Sequence, residues 1–166
     1  MKNTLLAIAA SLMLTTSAFA TDLPTTKGEA PAPVFSSFTF GPYAGLNVGT
    51  TTNKVVNTSG AQAGFDFGLL RTEIDYDRLG FKNGQNAWTG DLIAQHHIGN
   101  LVPYVLVGAG YVNGPAYNQA VWNAGGGVRF DVTKNVALDV RYRYVDTFQS
   151  RATHSNLVTA GIQYKF

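Results

Sequence analysis

The chain has 166 residues, no cysteine and a formal net charge of +2, which suits one domain and excludes a disulfide framework, a thiol nucleophile and a thiolate metal site. Only 13% of its residues are charged, against roughly 25–35% on a soluble surface. No basic block is present to bind nucleic acid and no acidic run to solvate a tail.

Residues 1–20 predict a secretory signal peptide. Lys2 supplies the positive start, Leu5 to Leu14 the apolar stretch, and Ala18-Phe19-Ala20 the small-residue cleavage site, so the mature chain is expected to begin at Thr21. The apolar stretch is shorter than the ~20 residues a spanning helix needs. Residues 21–37, TDLPTTKGEAPAPVFSS, hold three of the six prolines and no periodicity, which predicts a Pro-rich periplasmic linker ahead of a domain over 38–166.

From Phe38 onward, short alternating segments are separated by turn residues. They predict eight strands, at 40–51, 60–68, 70–79, 87–98, 102–111, 119–130, 136–145 and 156–166. The clearest is 136–145, where Val136, Leu138, Val140, Tyr142 and Tyr144 interleave with Ala137, Asp139, Arg141, Arg143 and Val145. Side chains on a strand point alternately to opposite faces, so such a segment has one apolar face. Connections at 68–69, 99–101 and 131–135 read as tight turns. Those at 52–59, 80–86, 112–118 and 146–155 read as longer loops.

Alternation alone does not say which face is inside. A soluble barrel would bury the apolar face, and a membrane barrel would expose it to lipid. Three features favour the membrane. Four of the five lysines after residue 20 (Lys27, Lys54, Lys82, Lys134) fall outside the strands. The polar face carries Gly45, Gly125, Gly127 and Gly161, which suit a crowded interior and would weaken an exposed strand. Aromatics fall at two levels, with Tyr76, Trp88, Tyr111, Trp122, Tyr142 and Tyr144 at one rim. Phe65, Phe67, Phe130, Tyr164 and Phe166 fall at the other, as two membrane interfaces require. The fold class is therefore all-β: an eight-stranded antiparallel up-and-down transmembrane barrel with short periplasmic turns.

On this parity Arg71, Arg129, Arg141, Arg143 and Lys165 share the lumen with Asp66, Glu73, Asp75, Asp91 and Asp139. The lumen of so small a barrel is just wide enough for side chains to fill. Hence Arg71, Glu73, Asp75, Asp91, Arg129, Asp139, Arg141 and Arg143 are expected to form a connected ion-pair network. Strand adjacency is expected to bring Glu73 near Asp91, and Arg129 near Asp139 and Arg141.

Other constellations point to no chemistry. His96 and His97 are neighbours on a strand and face opposite ways, so they share no ion, and zinc takes three or four ligands. GAGYVNG at 108–114 and GGG at 125–127 do not lie between a strand and a helix, as a nucleotide loop must. No metal, cofactor or catalytic residue is expected.

The C-terminus suggests a family. Ile162, Tyr164 and Phe166 at alternate positions resemble the terminal signal by which the bacterial barrel-assembly machinery recognises its clients. AGGGVRFDVTKNVALDVRYRYV at 124–145 resembles small OmpA/OmpX-like and opacity-type porin-family proteins, and DLPTTKGEAPAPV at 22–34 resembles the start of small alphaproteobacterial surface antigens. The resemblance implies a monomeric, non-enzymatic protein of the Gram-negative cell outer membrane, surrounded by outer-membrane lipid and lipopolysaccharide and supporting envelope integrity. The alternatives are a small-solute porin and a loop-based adhesin or binder of haem or host surfaces. Opacity-type adhesins carry long loops, and these are short. Lipid A deacylases separate their late His and Ser by one residue and follow with a carboxylate, whereas His154 and Ser155 are adjacent.

Overall fold

The computed structural model describes residues 40–52, 56–80, 84–114, 118–148 and 154–166. The signal peptide and linker expected over 1–37 lie outside the described residues. Eight strands follow in order: β1 (Gly41–Thr51), β2 (Val56–Asp66), β3 (Leu70–Leu79), β4 (Gln85–Gln95), β5 (Leu101–Asn113), β6 (Asn118–Asp131), β7 (Val136–Thr147) and β8 (Ser155–Lys165). Each pairs antiparallel with the next, and β8 returns to β1 to close the barrel.

The register sets the barrel's dimensions. Starting at Gly41, partners run through Asp66, Arg71, Ile93, Leu106, Gly125, Arg143 and Leu157 and come back to β1 at Thr51, ten residues further on. A stagger of ten residues at ~3.3 Å, against eight strands ~4.8 Å apart, tilts the strands by about 40° and leaves a narrow lumen.

The apolar face is outside. Ile74 is 62% and Val140 57% exposed, while Arg71 and Asp75 are buried at 0% and 1%. A closed barrel with that surface needs lipid around it. Aromatic side chains gather at both ends of the apolar band. Phe65 lies 5.1 Å from Phe40 and 4.8 Å from Phe67, and Tyr164 lies 5.2 Å from Phe166, at the end of the barrel with the short turns. Tyr76 packs on Trp88 at 4.7 Å and Trp122 on Tyr144 at 5.7 Å at the other end.

Strand limits differ from those expected. β2 begins four residues earlier, because Asn57, Thr58 and Ser59, though turn-like by composition, pair with Thr50, Gly49 and Val48 of β1. Cross-strand pairing outweighs weak intrinsic preference here. β4 ends at Gln95, which puts His96 and His97 in the following turn. With β5, β6 and β7 also longer than expected, the loops shrink to 52–55, 80–84, 114–117 and 148–154, against turns at 67–69, 96–100 and 132–135. The expected contrast between short turns and long loops is therefore mostly lost.

The turn end is closely tied. Gly68 adopts φ 93°, a conformation side chains disfavour, and its N–H donates to Asp66 Oδ1 at 2.8 Å. Asn135 receives the Lys165 N–H at 2.7 Å, and its own amide donates to the Lys165 carbonyl at 2.9 Å. The N–H of Phe166 donates to the Pro42 carbonyl at 3.1 Å, so the seam between β8 and β1 is bonded through the last residue.

Val140 sits mid-band on the outer face. Val140→Arg is expected to cost about 2–4 kcal/mol, the usual penalty for a basic residue at the bilayer midplane, and Lys134→Ala in a turn almost nothing. Urea unfolding in lipid vesicles measures both.

Candidate functional site: the charged lumen

Seven buried carboxylates (Asp66, Glu73, Asp75, Asp77, Asp91, Asp131, Asp139) and five buried cations (Arg71, Arg129, Arg141, Arg143, Lys165) point into the lumen among the described residues. In a ring of eight strands, β3 and β7 stand opposite each other, as do β2 and β6. The main ion pairs span these diameters. Arg141 of β7 reaches Glu73 of β3 at 2.5 Å and Asp75 at 3.4 Å, and also holds Asp139 of its own strand at 3.5 Å. One turn of the network higher, Arg143 reaches Asp75 at 2.8 Å, Asp91 at 2.9 Å and Asp77 at 3.4 Å. Asn123 donates to the other oxygen of Asp91 at 2.9 Å.

Two tyrosines complete the centre, each lying over a glycine. Tyr43 faces Gly64 across β1 and β2, and Tyr104 faces Gly127 across β5 and β6. A Cβ at either glycine would run into the opposing tyrosine hydroxyl, so only glycine admits the ring. The Tyr43 hydroxyl donates to Glu73 at 2.6 Å. That of Tyr104 donates to Asp139 at 2.9 Å and accepts from Arg141 Nε at 3.0 Å. Between the rings lies Arg71, wholly buried, with its guanidinium 5.0 Å from one ring centre and 5.2 Å from the other. Cation–π attraction holds it there, helped by Glu73 at 3.7 Å and Gln163 at 3.4 Å.

A second cluster closes the turn end. Arg129 of β6 bonds Asp66 of β2 at 3.3 Å and Asp131 at 3.2 Å, and Lys165 bonds Asp131 at 2.8 Å. Gln95 donates to Asp66 at 2.8 Å and to the Gly68 carbonyl at 2.7 Å. Glu73 and Asp91 are register partners, as expected. Arg129 is also in register with Asp139, yet its ion pairs are with Asp66 and Asp131. Its side chain extends toward the turn end, leaving Asp139 to Tyr104 and Arg141.

The remaining candidates fall elsewhere. Ile162, Tyr164 and Phe166 lie on the lipid face at the turn end, Phe166 being 73% exposed. His97 lies below the lumen, beside Gln95 and the Gly68 carbonyl, and burial with Arg129 nearby holds its pKa below the ordinary histidine range. His96 is exposed in the same turn. His154 stacks on Tyr144 at 6.2 Å. Oxygens of Glu73, Asp75 and Asp91 converge within 4.8 Å of one another, but the guanidiniums of Arg141 and Arg143 already stand among them.

No protein-family model matches the chain, and no curated protein matches it in sequence. Solved structures do. The N-terminal β-barrel domain of Pseudomonas aeruginosa OprF aligns over 75% of this chain and 96% of that one, with a TM-score of 0.63 at 14% identity. Neisserial surface protein A aligns over 75% and 96%, with a TM-score of 0.60 at 20% identity. The outer membrane enzyme PagL aligns over 75% and 99%, with a TM-score of 0.54 at 12% identity. The chain has the fold of the small outer-membrane β-barrels.

Within this fold, several lumen residues were not expected from the sequence. Asp77 and Asp131 obey the inward parity of Asp75 and Arg129 but fall near segment ends, where they resemble loop residues. Tyr43 passes as one more aromatic. Tyr104 sits in LVPYVLV at 101–107, an apolar run with no polarity contrast to reveal which parity faces inward.

Arg141 and Tyr104 act on one carboxylate, Asp139. Arg141→Ala is expected to cost about 3–5 kcal/mol by stranding Glu73 and Asp139, and Tyr104→Phe about 1–3 kcal/mol. The double variant is expected to cost less than the sum of the two. Equilibrium unfolding of the folded barrel in detergent measures all three.

Proposed function

We propose that this protein is a structural component of the Gram-negative outer membrane, exported by its signal peptide, surrounded by outer-membrane lipid and lipopolysaccharide, and monomeric. Its barrel is a plug rather than a pore, and it supports the envelope without enzymatic activity. The observation that carries this reading is the state of the lumen from its middle to the turn end: Arg71, Asn123, Ile93 and Arg129 are completely buried, so no water-sized space adjoins them. Barrels with open aqueous channels have ~16–18 strands. A narrow, charge-paired lumen is a cross-brace between opposite walls.

In the same reading Ile162, Tyr164 and Phe166 form the address read by the barrel-assembly machinery. Their alternation on the lipid face keeps all three on one exposed edge until β8 pairs with β1.

In planar bilayers the folded protein is expected to give conductance close to background, and stable porin-like channels would replace this reading with that of a small-solute porin. In cells it is expected to fractionate with the outer membrane and begin at Thr21. Deleting Phe166 is expected to leave export intact but to accumulate unfolded chain in the periplasm, while Phe148→Lys in the last loop stays mild. Equal insertion of both variants would remove the terminal residue from the assembly step.

A further inference from the structure

The lumen is not filled along its whole length. In the middle and at the turn end, long arginine and tyrosine side chains cross it. Toward the loop end the inward positions change character within a single step along the strand. Asp77 gives way to Leu79, Arg143 to Val145 and Asn123 to Val121. Val56, Val112 and Leu157 continue the ring on β2, β5 and β8, so six of the eight strands present a valine or leucine there. These side chains are too short to span the barrel, and a cavity of about 440 Å³ remains among them, within the size range of small-molecule sites.

An apolar ring is out of place in this position. The interior of an outer-membrane barrel is polar, and apolar side chains belong on its lipid face. Nor does the ring serve the packed core. Val121 and Leu157 are only 3% and 5% exposed, yet the buried apolar cluster of the lumen consists of Ile93, Tyr104 and Leu106, nearer the turn end. Water held against apolar walls forfeits hydrogen bonds, and apolar cavities take up apolar molecules instead.

The charges at the floor are already paired. Asp77 and Arg143 border the cavity and lie 3.4 Å apart, and Arg143 is also held by Asp75 at 2.8 Å and Asp91 at 2.9 Å. What the cavity leaves uncovered is apolar surface.

We infer that this cup binds a compact, uncharged organic molecule by its hydrocarbon body, held against the valine and leucine walls. Apolar burial is non-directional, so the site selects by volume and apolar area rather than by a functional group. A charged group would lose hydration on entering and find no free counter-charge. A rigid body also loses less freedom there than a flexible chain. On the orientation proposed above, the cup faces the outside of the cell.

The test is an NMR titration of the folded protein in lipid nanodiscs with adamantanol, adamantylammonium and adamantanecarboxylate, which share one hydrocarbon cage. Adamantanol is expected to shift the amides of Ala87, Val121 and Leu157 saturably. Those of Leu138 and Val140 on the lipid face are expected only to drift in proportion to concentration, as the probe partitions into lipid. The alcohol is expected to bind about threefold or more tighter than either ion. Val121→Thr combined with Val145→Thr keeps the branched shape, and is expected to weaken adamantanol about fivefold or more without altering the barrel spectrum elsewhere. Val121→Trp is expected to fill the cup and abolish the saturable shifts. Equal or tighter binding of either ion, or indifference to the paired threonine substitutions, would overturn the inference. So would the absence of saturable shifts in the unaltered protein.

Discussion

A closed ring of eight strands leaves a lumen about two side chains wide, and in lipid the charges within it have nowhere to go except across. The pairs of Arg141 with Glu73, Arg143 with Asp75 and Arg129 with Asp66 each join walls four strands apart. Backbone ladders bind each strand only to its neighbours. These side-chain pairs are what bind opposite walls, and they set how far the ring can flatten or open. Ion pairs buried this completely contribute little net stability against an apolar core, but losing one partner is expensive. The network therefore serves uniqueness of shape more than gross stability.

Glycine makes that network possible. Gly64 and Gly127 give up their side chains so that Tyr43 and Tyr104 can lie flat across the adjacent strand, bringing their hydroxyls to Glu73 and Asp139. The rings then form the two faces between which Arg71 is stacked. Removing a Cβ on one strand, placing a ring on the next and seating a cation between the rings are a single packing solution.

Above this centre the balance fails. Three carboxylates, Asp75, Asp77 and Asp91, gather round the single guanidinium of Arg143, and of the three only Asp77 borders the apolar-walled space above. The tightly matched lower lumen and the less evenly matched upper one sit in the same barrel. Both regions follow from this chain's own residues.

Period-two alternation in the sequence determined the strand number, the lipid-facing parity and most of the charges in the lumen, because a strand's two faces are set locally by backbone geometry. Val136 to Val145 is legible residue by residue for that reason. The strand ends were not: Asn57 to Ser59 pair with β1 although their composition suggests a turn, since ladder bonds across the barrel outweigh local preference. Parity places Arg129 in the lumen, but only the closed ring decides that it turns to Asp66 rather than to Asp139 beside it. Tyr104 is invisible within an apolar run and becomes central only when β5 meets the glycine of β6. Which charges share a diameter depends on the ten-residue stagger of the ring, and that stagger exists only once β8 has found β1.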